Sequence, residues 1–337
     1  FGQGLAERVF YLTARSTTRE AALSALRLMG ESDLRAVVLY AREKCCAQGT
    51  PLCRSGLCER ALGYYDRLPE AIQAALDQGG PFDRDVVRAL ADRFCLCPFE
   101  LALDLSLECD VIICDYNYLF DPRVRLQRYA SGGRQGQVLL IDEAHNLPDR
   151  ARDMYSAQLS QRAVDHLRAS IPKPRRKEPL YRALRALSKE MEEAALCGET
   201  PRVEQDLRPD LILRCEEALC ALRESDAAQP EEAAALSLDL TAMVYFASHY
   251  DQNYNLLIEG GKRARTIALM CLDASEKTGA VLRRSRAAVL FSATLTPMAF
   301  YRALCGVKEG SPCVTLRSPF PRENLLVLNL PVSTRYR

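Results

Sequence analysis

Gln137-Val-Leu-Leu-Ile141 runs directly into Asp142-Glu143-Ala144-His145. The first part is an apolar run of strand length, and it ends in two adjacent carboxylates. In open α/β sheets, ligands bind beyond the carboxyl ends of the strands. A carboxylate placed there can hold Mg²⁺ on the phosphates of a nucleotide, and its neighbour can orient or deprotonate an attacking water. Acidic residues that complement a helix dipole would also leave an Asp-Glu pair. The apolar run before the pair and the Ala-His after it favour the chemical reading, with Asp142, Glu143 and His145 as the candidate catalytic group.

Outward from that stretch, further short β-branched or apolar runs read as buried parallel strands: 9–13, 36–40, 111–114, 138–141, 266–271 and 287–291. An amphipathic helical pattern at 18–28 separates the first two, and alternation of this kind predicts an α/β sheet. Two segments interrupt it. Residues 42–98 hold six cysteines among polar and helical stretches, and residues 150–261 lack strand-like runs and are rich in Ala, Leu, Glu and Arg. Gly260-Gly261 marks the expected return to the sheet. The last strand, 287–291, leads into Ser292-Ala293-Thr294, small hydroxyl residues that could link nucleotide state to a neighbouring domain through hydrogen bonds. Alone, such a triplet is usually a helix cap.

Composition narrows the function. The chain has 337 residues, about two domains' worth, and 48% hydrophobic residues, which excludes wholesale disorder. No apolar run approaches the ~20 residues of a membrane span, and none is flanked like a secretion signal. A net charge of +1 means that any nucleic-acid binding must come from a local groove. Only His145, His166 and His249 are present, too few for a His-rich metal centre. Fourteen cysteines without a secretory signal predict a reducing, cytoplasmic setting. Scattered ones such as Cys114, Cys271 and Cys305 read as core residues. Cys45, Cys46, Cys53, Cys58, Cys95 and Cys97 are clustered, and four thiolates suffice for a [4Fe–4S] cluster or for tetrahedral Zn²⁺. Spacing alone does not separate the two metals, although the paired C-x2-C knuckles common in zinc sites are missing.

The ordered combination of motifs resembles a known family. Asp142-Glu143-Ala144-His145 and Ser292-Ala293-Thr294 are similar to motifs II and III of superfamily 2 helicases. Phe10-Tyr-Leu-Thr-Ala-Arg15 with Thr17-Thr18-Arg19 resembles their motif Ia. Cys97-Pro98-Phe99-Glu100 and Asp110-Val-Ile-Ile-Cys-Asp115-Tyr-Asn-Tyr-Leu-Phe-Asp-Pro122 resemble the iron–sulfur branch, the XPD/DinG-like (Rad3-type, DEAH-box) helicases. The likeness runs from Phe10 to Ser318-Pro319-Phe320 and is weakest across 150–261.

The resemblance implies a RecA-like parallel sheet with a cysteine-rich iron–sulfur insertion and a helical arch insertion. Its parts would be 1–41, the first part of motor domain 1; 42–98, the cluster insertion; 99–149, the middle part with the DEAH box; 150–261, the arch; and 262–337, the last part and the start of the link to a second motor domain. It implies a [4Fe–4S] cluster on Cys46, Cys53, Cys58 and Cys97, with Cys45 and Cys95 as near-neighbour alternatives. Cys97 is preferred because Pro98 follows it, as in the family. Asp142 would bind Mg²⁺, Glu143 would activate water, and Ser292 and Thr294 would couple nucleotide state. The implied partners are ATP and single-stranded DNA.

For DNA, Thr13, Arg15 and Thr17 lie where a strand ends, and such groups can bind phosphate oxygens without reading sequence. Tyr116 and Asn117 follow another strand end, where an aromatic ring can stack on bases or pack in the core. The basic loop Lys173–Lys177 is a further candidate guide for the strand.

Nowhere in the sequence is there a phosphate-cradling G-x-x-x-x-G-K-[ST] loop; Gly261-Lys262 is the only Gly-Lys pair. In the resembled family that loop precedes the first strand, and a second motor domain with arginine fingers follows. The chain starts at Phe1 and stops at Arg337 just after an apolar run, 325–330. The expectation is therefore the front half of an ATP-dependent helicase that translocates 5′-to-3′ on single-stranded DNA in DNA repair, with little ATPase activity of its own. The rival expectation is a non-motor iron–sulfur DNA-binding or regulatory module. A nucleotide-binding metal hydrolase without DNA is a third.

Overall fold

The computed structural model describes residues 4, 6–29, 34–47, 58–126, 129, 136–196, 201–225, 230–260, 265–324 and 326–328. Cys53, Gly261 and Lys262 lie outside them, as does half of the run 325–330. The chain divides into two units, Phe1–Val307 and Lys308–Arg337. The second carries one described 3₁₀ turn, Arg322–Asn324.

In the first unit, β1 (Arg8–Leu12), β2 (Ala36–Val38), β3 (Val111–Cys114), β4 (Gln137–Ile141) and β9 (Ala287–Leu290) form a parallel sheet in the order β2-β3-β1-β4-β9. Parallel strands covered on both faces must be apolar throughout, and β3 is buried at all four positions. On one face, α1 (Ser16–Met29) packs Ala22 and Leu23 against Ala36, Val38, Val111 and Ile113. On the other lies the main core: Phe10, Leu12, Val37, Ile112, Leu139 and Ile141, with Leu101 and Leu105 of α5 (Pro98–Leu105).

The insertion after β2 begins with the short α2 (Arg42–Cys45) and continues through α3 (Tyr64–Gln78) and α4 (Arg84–Arg93) to α5. Its boundaries follow local chemistry. Asp83 caps α4 by accepting from the backbone N–H groups of Asp85 and Val86, at 3.1 and 3.0 Å. Pro98 opens α5 at a position whose N–H would be unpaired in any case. The short α6 (Asn117–Phe120) follows β3, and α7 (Leu147–Met154) follows β4.

The segment after α7 departs from the all-helical expectation. It contains β5 (Ala157–Ser160), β6 (Arg202–Glu204) and β7 (Tyr254–Glu259), beside α8 (Gln161–Ser170), α9 (Pro179–Leu196), α10 (Pro209–Glu224) and α11 (Pro230–Ala247). The run at 266–271, expected in the parallel sheet, is β8 (Thr266–Cys271), and it pairs antiparallel with both β5 and β7. The result is a second sheet, β5-β8-β7-β6. The strands here alternate: Leu256, Ile258, Ile267 and Leu269 face helices α8–α11, while their neighbours face outward. That period of two is the mark of a sheet with one covered face, which a search for continuous apolar runs misreads. The chain returns to the parallel sheet only after α12 (Ser275–Arg284), at β9, and α13 (Met298–Leu304) follows. β9 is an edge strand with alternate residues exposed, not the buried strand its composition predicts.

Candidate functional site

Register places the carboxyl ends of four strands side by side. Leu12 is level with Cys114 of β3 and with Ile141 of β4, and Ile141 is level with Leu290 of β9. The residues just beyond, Thr13, Asp115, Asp142 and Ser292, therefore share one rim of the sheet.

Asp142 continues the ladder, its N–H donating to the Leu12 carbonyl at 2.9 Å. Its Oδ1 accepts from the backbone N–H of Glu143 at 2.8 Å, and its Oδ2 accepts from the Tyr11 hydroxyl at 3.1 Å. Burial, reinforced by the Asp142 charge, pushes the Tyr11 phenol up to about 12, so it stays a donor at neutral pH. Glu143 adopts a left-handed backbone, φ +50° and ψ +40°, a region that non-glycine residues seldom occupy. Its carboxylate meets three groups: His145 Nδ1 at 3.3 Å, Ser292 Oγ at 3.4 Å and the exposed Arg15 guanidinium at 3.8 Å. His145 Nδ1 and Ser292 Oγ are 2.7 Å apart. A carboxylate only accepts hydrogen bonds, so the Ser292 hydroxyl donates to Glu143 and the His145 Nδ1–H donates to Ser292 Oγ. Thr294 closes the turn, its N–H donating to Ser292 Oγ at 3.2 Å. The predicted residues Asp142, Glu143, His145, Ser292 and Thr294 thus form one constellation.

The predicted DNA contacts fare differently. Arg15 and Thr17 are exposed at the start of α1. Thr13 is fully buried and its hydroxyl is paired with that of Thr18, so it presents nothing to a phosphate; a residue one step past a central strand is still roofed by the sheet. Tyr116 is also fully buried, which closes its ring to a base. Its hydroxyl donates instead to the backbone carbonyls of Asp142 and Glu143. Asn117 Oδ1 accepts from Arg150 of α7 at 2.9 Å. Of the Lys173–Lys177 turn, Arg175 pairs with Glu178 and Arg176 lies over the Tyr181 ring.

Sequence reasoning overlooked several residues. Tyr11 lies in the first strand and in the motif Ia stretch, and the sequence assigns it no role; a polar tip on the strand beside an acidic box is the available signal. Asp115 pairs with Arg150 at 2.9 Å and with the buried Arg19 of α1 at 3.6 Å, joining α1 to α7 beneath the rim. No local pattern announces a pair 35 residues apart.

Among the described cysteines, Cys45, Cys46, Cys58 and Cys97 are partly exposed, and Cys95 is exposed with φ +52°. Cys97 occupies the N-cap position of α5, with an extended backbone. Burial raises the Cys45 thiol, with Cys97 and Cys46 near enough to contribute. Two arginines bind the segment after Cys58 to the one before Cys97. Arg60 donates to the Ala91 and Leu96 carbonyls at 3.2 and 3.1 Å, and Arg67 to those of Leu62, Phe94 and Cys95 at 2.8, 3.0 and 2.9 Å. Soft thiol donors on two tethered segments suit a thiophilic centre. No group of three or more metal-ligating side chains is gathered among the described residues.

Several known proteins are similar to this chain. The family described as DEAD_2 matches residues 15–164, from motif Ia through the DEAH box. Over that segment the chain resembles the XPD/DinG-like helicases. A Fanconi anemia group J protein homolog from Gallus gallus is 31% identical over 101 residues, which are 30% of this chain and 8% of that protein. A regulator of telomere elongation helicase 1 homolog from Anopheles gambiae is 26% identical over 164 residues, 45% of this chain and 16% of the relative. The matches thus span a small part of these longer relatives. Among solved structures, a truncated XPD superposes with a TM-score of 0.55 at 14% identity, covering 90% of this chain and 85% of that one. An XPD helicase gives 0.54 at 14% identity, covering 91% and 55%. At that identity the likeness establishes the shared fold: a mixed α/β architecture on a five-stranded parallel sheet.

Proposed function

We propose that this XPD/DinG-like chain supplies the first motor domain of an ATP-dependent DNA helicase that moves 5′-to-3′ on single-stranded DNA and serves DNA repair in a reducing, cytoplasmic setting. The observation that carries this reading is the contact between the two boxes. Ser292 and His145 are 147 positions apart in sequence yet share a hydrogen bond, and both address Glu143. A helix cap or a dipole-complementing acid pair has no need of such a link. Bound Mg²⁺–ATP would bring the phosphoryl group to be transferred.

In this mechanism Asp142, fixed at one oxygen by Tyr11 and at the other by its own turn, would hold the Mg²⁺. Glu143 orients the attacking water and takes its proton. His145 and Ser292 hold the Glu143 carboxylate in place and transmit its state along β9. Arg15 and Thr17, exposed on the same rim, take phosphates of the DNA strand. Cys46, Cys53, Cys58 and Cys97 would hold a [4Fe–4S] cluster, which would fasten the insertion and present a redox-active centre.

In the longer protein carrying this chain, ATP hydrolysis should be stimulated by single-stranded DNA. Glu143→Gln should preserve ATP binding and cut turnover by orders of magnitude. Full activity in that variant would overturn the reading. Residues 1–337 alone contain no phosphate loop and should hydrolyse ATP negligibly.

A further inference from the structure

The Tyr116 hydroxyl takes no part in the chemistry above, yet it lies directly behind the two carboxylates. We propose that Tyr116 is a positioning residue: by donating to the main-chain carbonyls of Asp142 and Glu143, it holds Glu143 in the left-handed conformation that aims its carboxylate at Ser292 and His145.

The left-handed region costs a residue with a Cβ roughly 1–2 kcal/mol, so Glu143 stays there only if its surroundings hold it. Three contacts do so through N–H groups: Asp142 to Leu12, Ala144 to Phe291, and Glu143 to the Asp142 carboxylate, at 2.9, 3.1 and 2.8 Å. They fix the ends of the turn. The carbonyls inside it point at the sheet rim, where an unpaired acceptor would be costly. The Asn146 N–H reaches the Glu143 carbonyl at 2.9 Å. The Asp142 carbonyl receives its bond from Tyr116, whose single proton is shared with the Glu143 carbonyl at 3.1 Å.

The tyrosine is itself held. Its ring packs in the main core, and its chain neighbours Asp115 and Asn117 are both pinned by Arg150. The hydroxyl therefore acts from a fixed post. Without it, the Asp142–Glu143 peptide can relax toward a right-handed turn, which swings the Glu143 side chain away from its partners.

Tyr116→Phe removes only the hydroxyl, and two readouts test its role. The first uses this chain and is independent of any helicase activity. With only three histidines, the imidazole NMR signals can be assigned by single replacement. At fixed pH, Tyr116→Phe should move the His145 resonances and leave those of His166 and His249 in place, with the melting temperature within a few degrees. Unmoved His145 signals would overturn the proposal. So would shifts of all three with a large drop in melting temperature, because the hydroxyl would then support the fold at large.

The second readout rests on the ATPase reading and uses the longer protein. Tyr116→Phe should lower kcat about tenfold, leave the KM for ATP within about twofold, and cause no further loss in a Glu143→Gln background, since residues acting as one unit are non-additive. A full multiplicative loss in that background would refute the mechanism. If the wild type proves inactive toward ATP, the ATPase reading fails, and the histidine signals still decide the role of Tyr116.

Discussion

Arg15 divides its charge between two duties. Its guanidinium lies 3.8 Å from Glu143 and is well exposed, so it is free to meet a phosphate. Each phosphate contact contributes about one unit to the slope of log affinity against log salt. Arg15→Ala should therefore weaken single-stranded DNA binding alike for all sequences and flatten that slope by about one. An unchanged slope would place the strand elsewhere, with Lys173–Lys177 the next surface to test. Ser292→Ala should leave ATP binding intact and reduce DNA stimulation, because it deletes the bridge between His145 and Glu143. The sequence exposed these residues because an acidic pair after an apolar strand is a local pattern. It leaves Tyr116 open, because the same letter serves an exposed stacker and a buried donor. Only the neighbouring strands decide which, and they come from residues far away in the chain.

At the scale of elements, the cysteine insertion depends on Arg60 and Arg67 as much as on its helices. Arg67 answers several carbonyls at once, and its loss leaves acceptors without donors, at about 1–3 kcal/mol for each one that is buried. Arg67→Ala should accordingly raise the reactivity of Cys58 and Cys97 toward a thiol-alkylating reagent in the metal-free chain, while Arg214→Ala, in α10, should not. Purified protein should be brown, and Cys58→Ser should bleach it; colourless protein with stoichiometric zinc would overturn the iron assignment. The parallel strands were legible because burial on both faces leaves an unbroken apolar run. The second sheet was not. β5 and β6 are short and half polar, and β8 is as apolar as a parallel strand, so its partner, and hence its direction, is set by tertiary pairing.

Over the whole molecule, buried acids of high pKa accumulate. Burial lifts the Cys109 and Cys215 thiols from an ordinary 9.0 to about 12 and Cys305 to about 11. It lifts the Tyr129 and Tyr155 phenols from 10.0 to about 12. For each, the unfolded chain releases its proton first. Stability from keeping these groups neutral is thus complete below pH 9 and is lost as pH climbs toward 12. Denaturant midpoints should hold steady from neutrality to about pH 9 and fall progressively above it, and Cys215→Ala should blunt part of that fall. A midpoint independent of pH across this range would contradict the burial of these groups.

The outermost position of β9 sets a timescale for the site. Edge strands open locally at less free energy than central ones, and this one brings Ser292 to Glu143. The Phe291 N–H is bonded to Ile141, and the Ala144 N–H to Phe291, at 3.0 and 3.1 Å across that seam. Whenever β9 frays, both amides are released together and the bridge between the boxes breaks with them. Their common hydrogen-exchange rate is then a clock for how often the two boxes lose touch, readable without nucleotide or DNA.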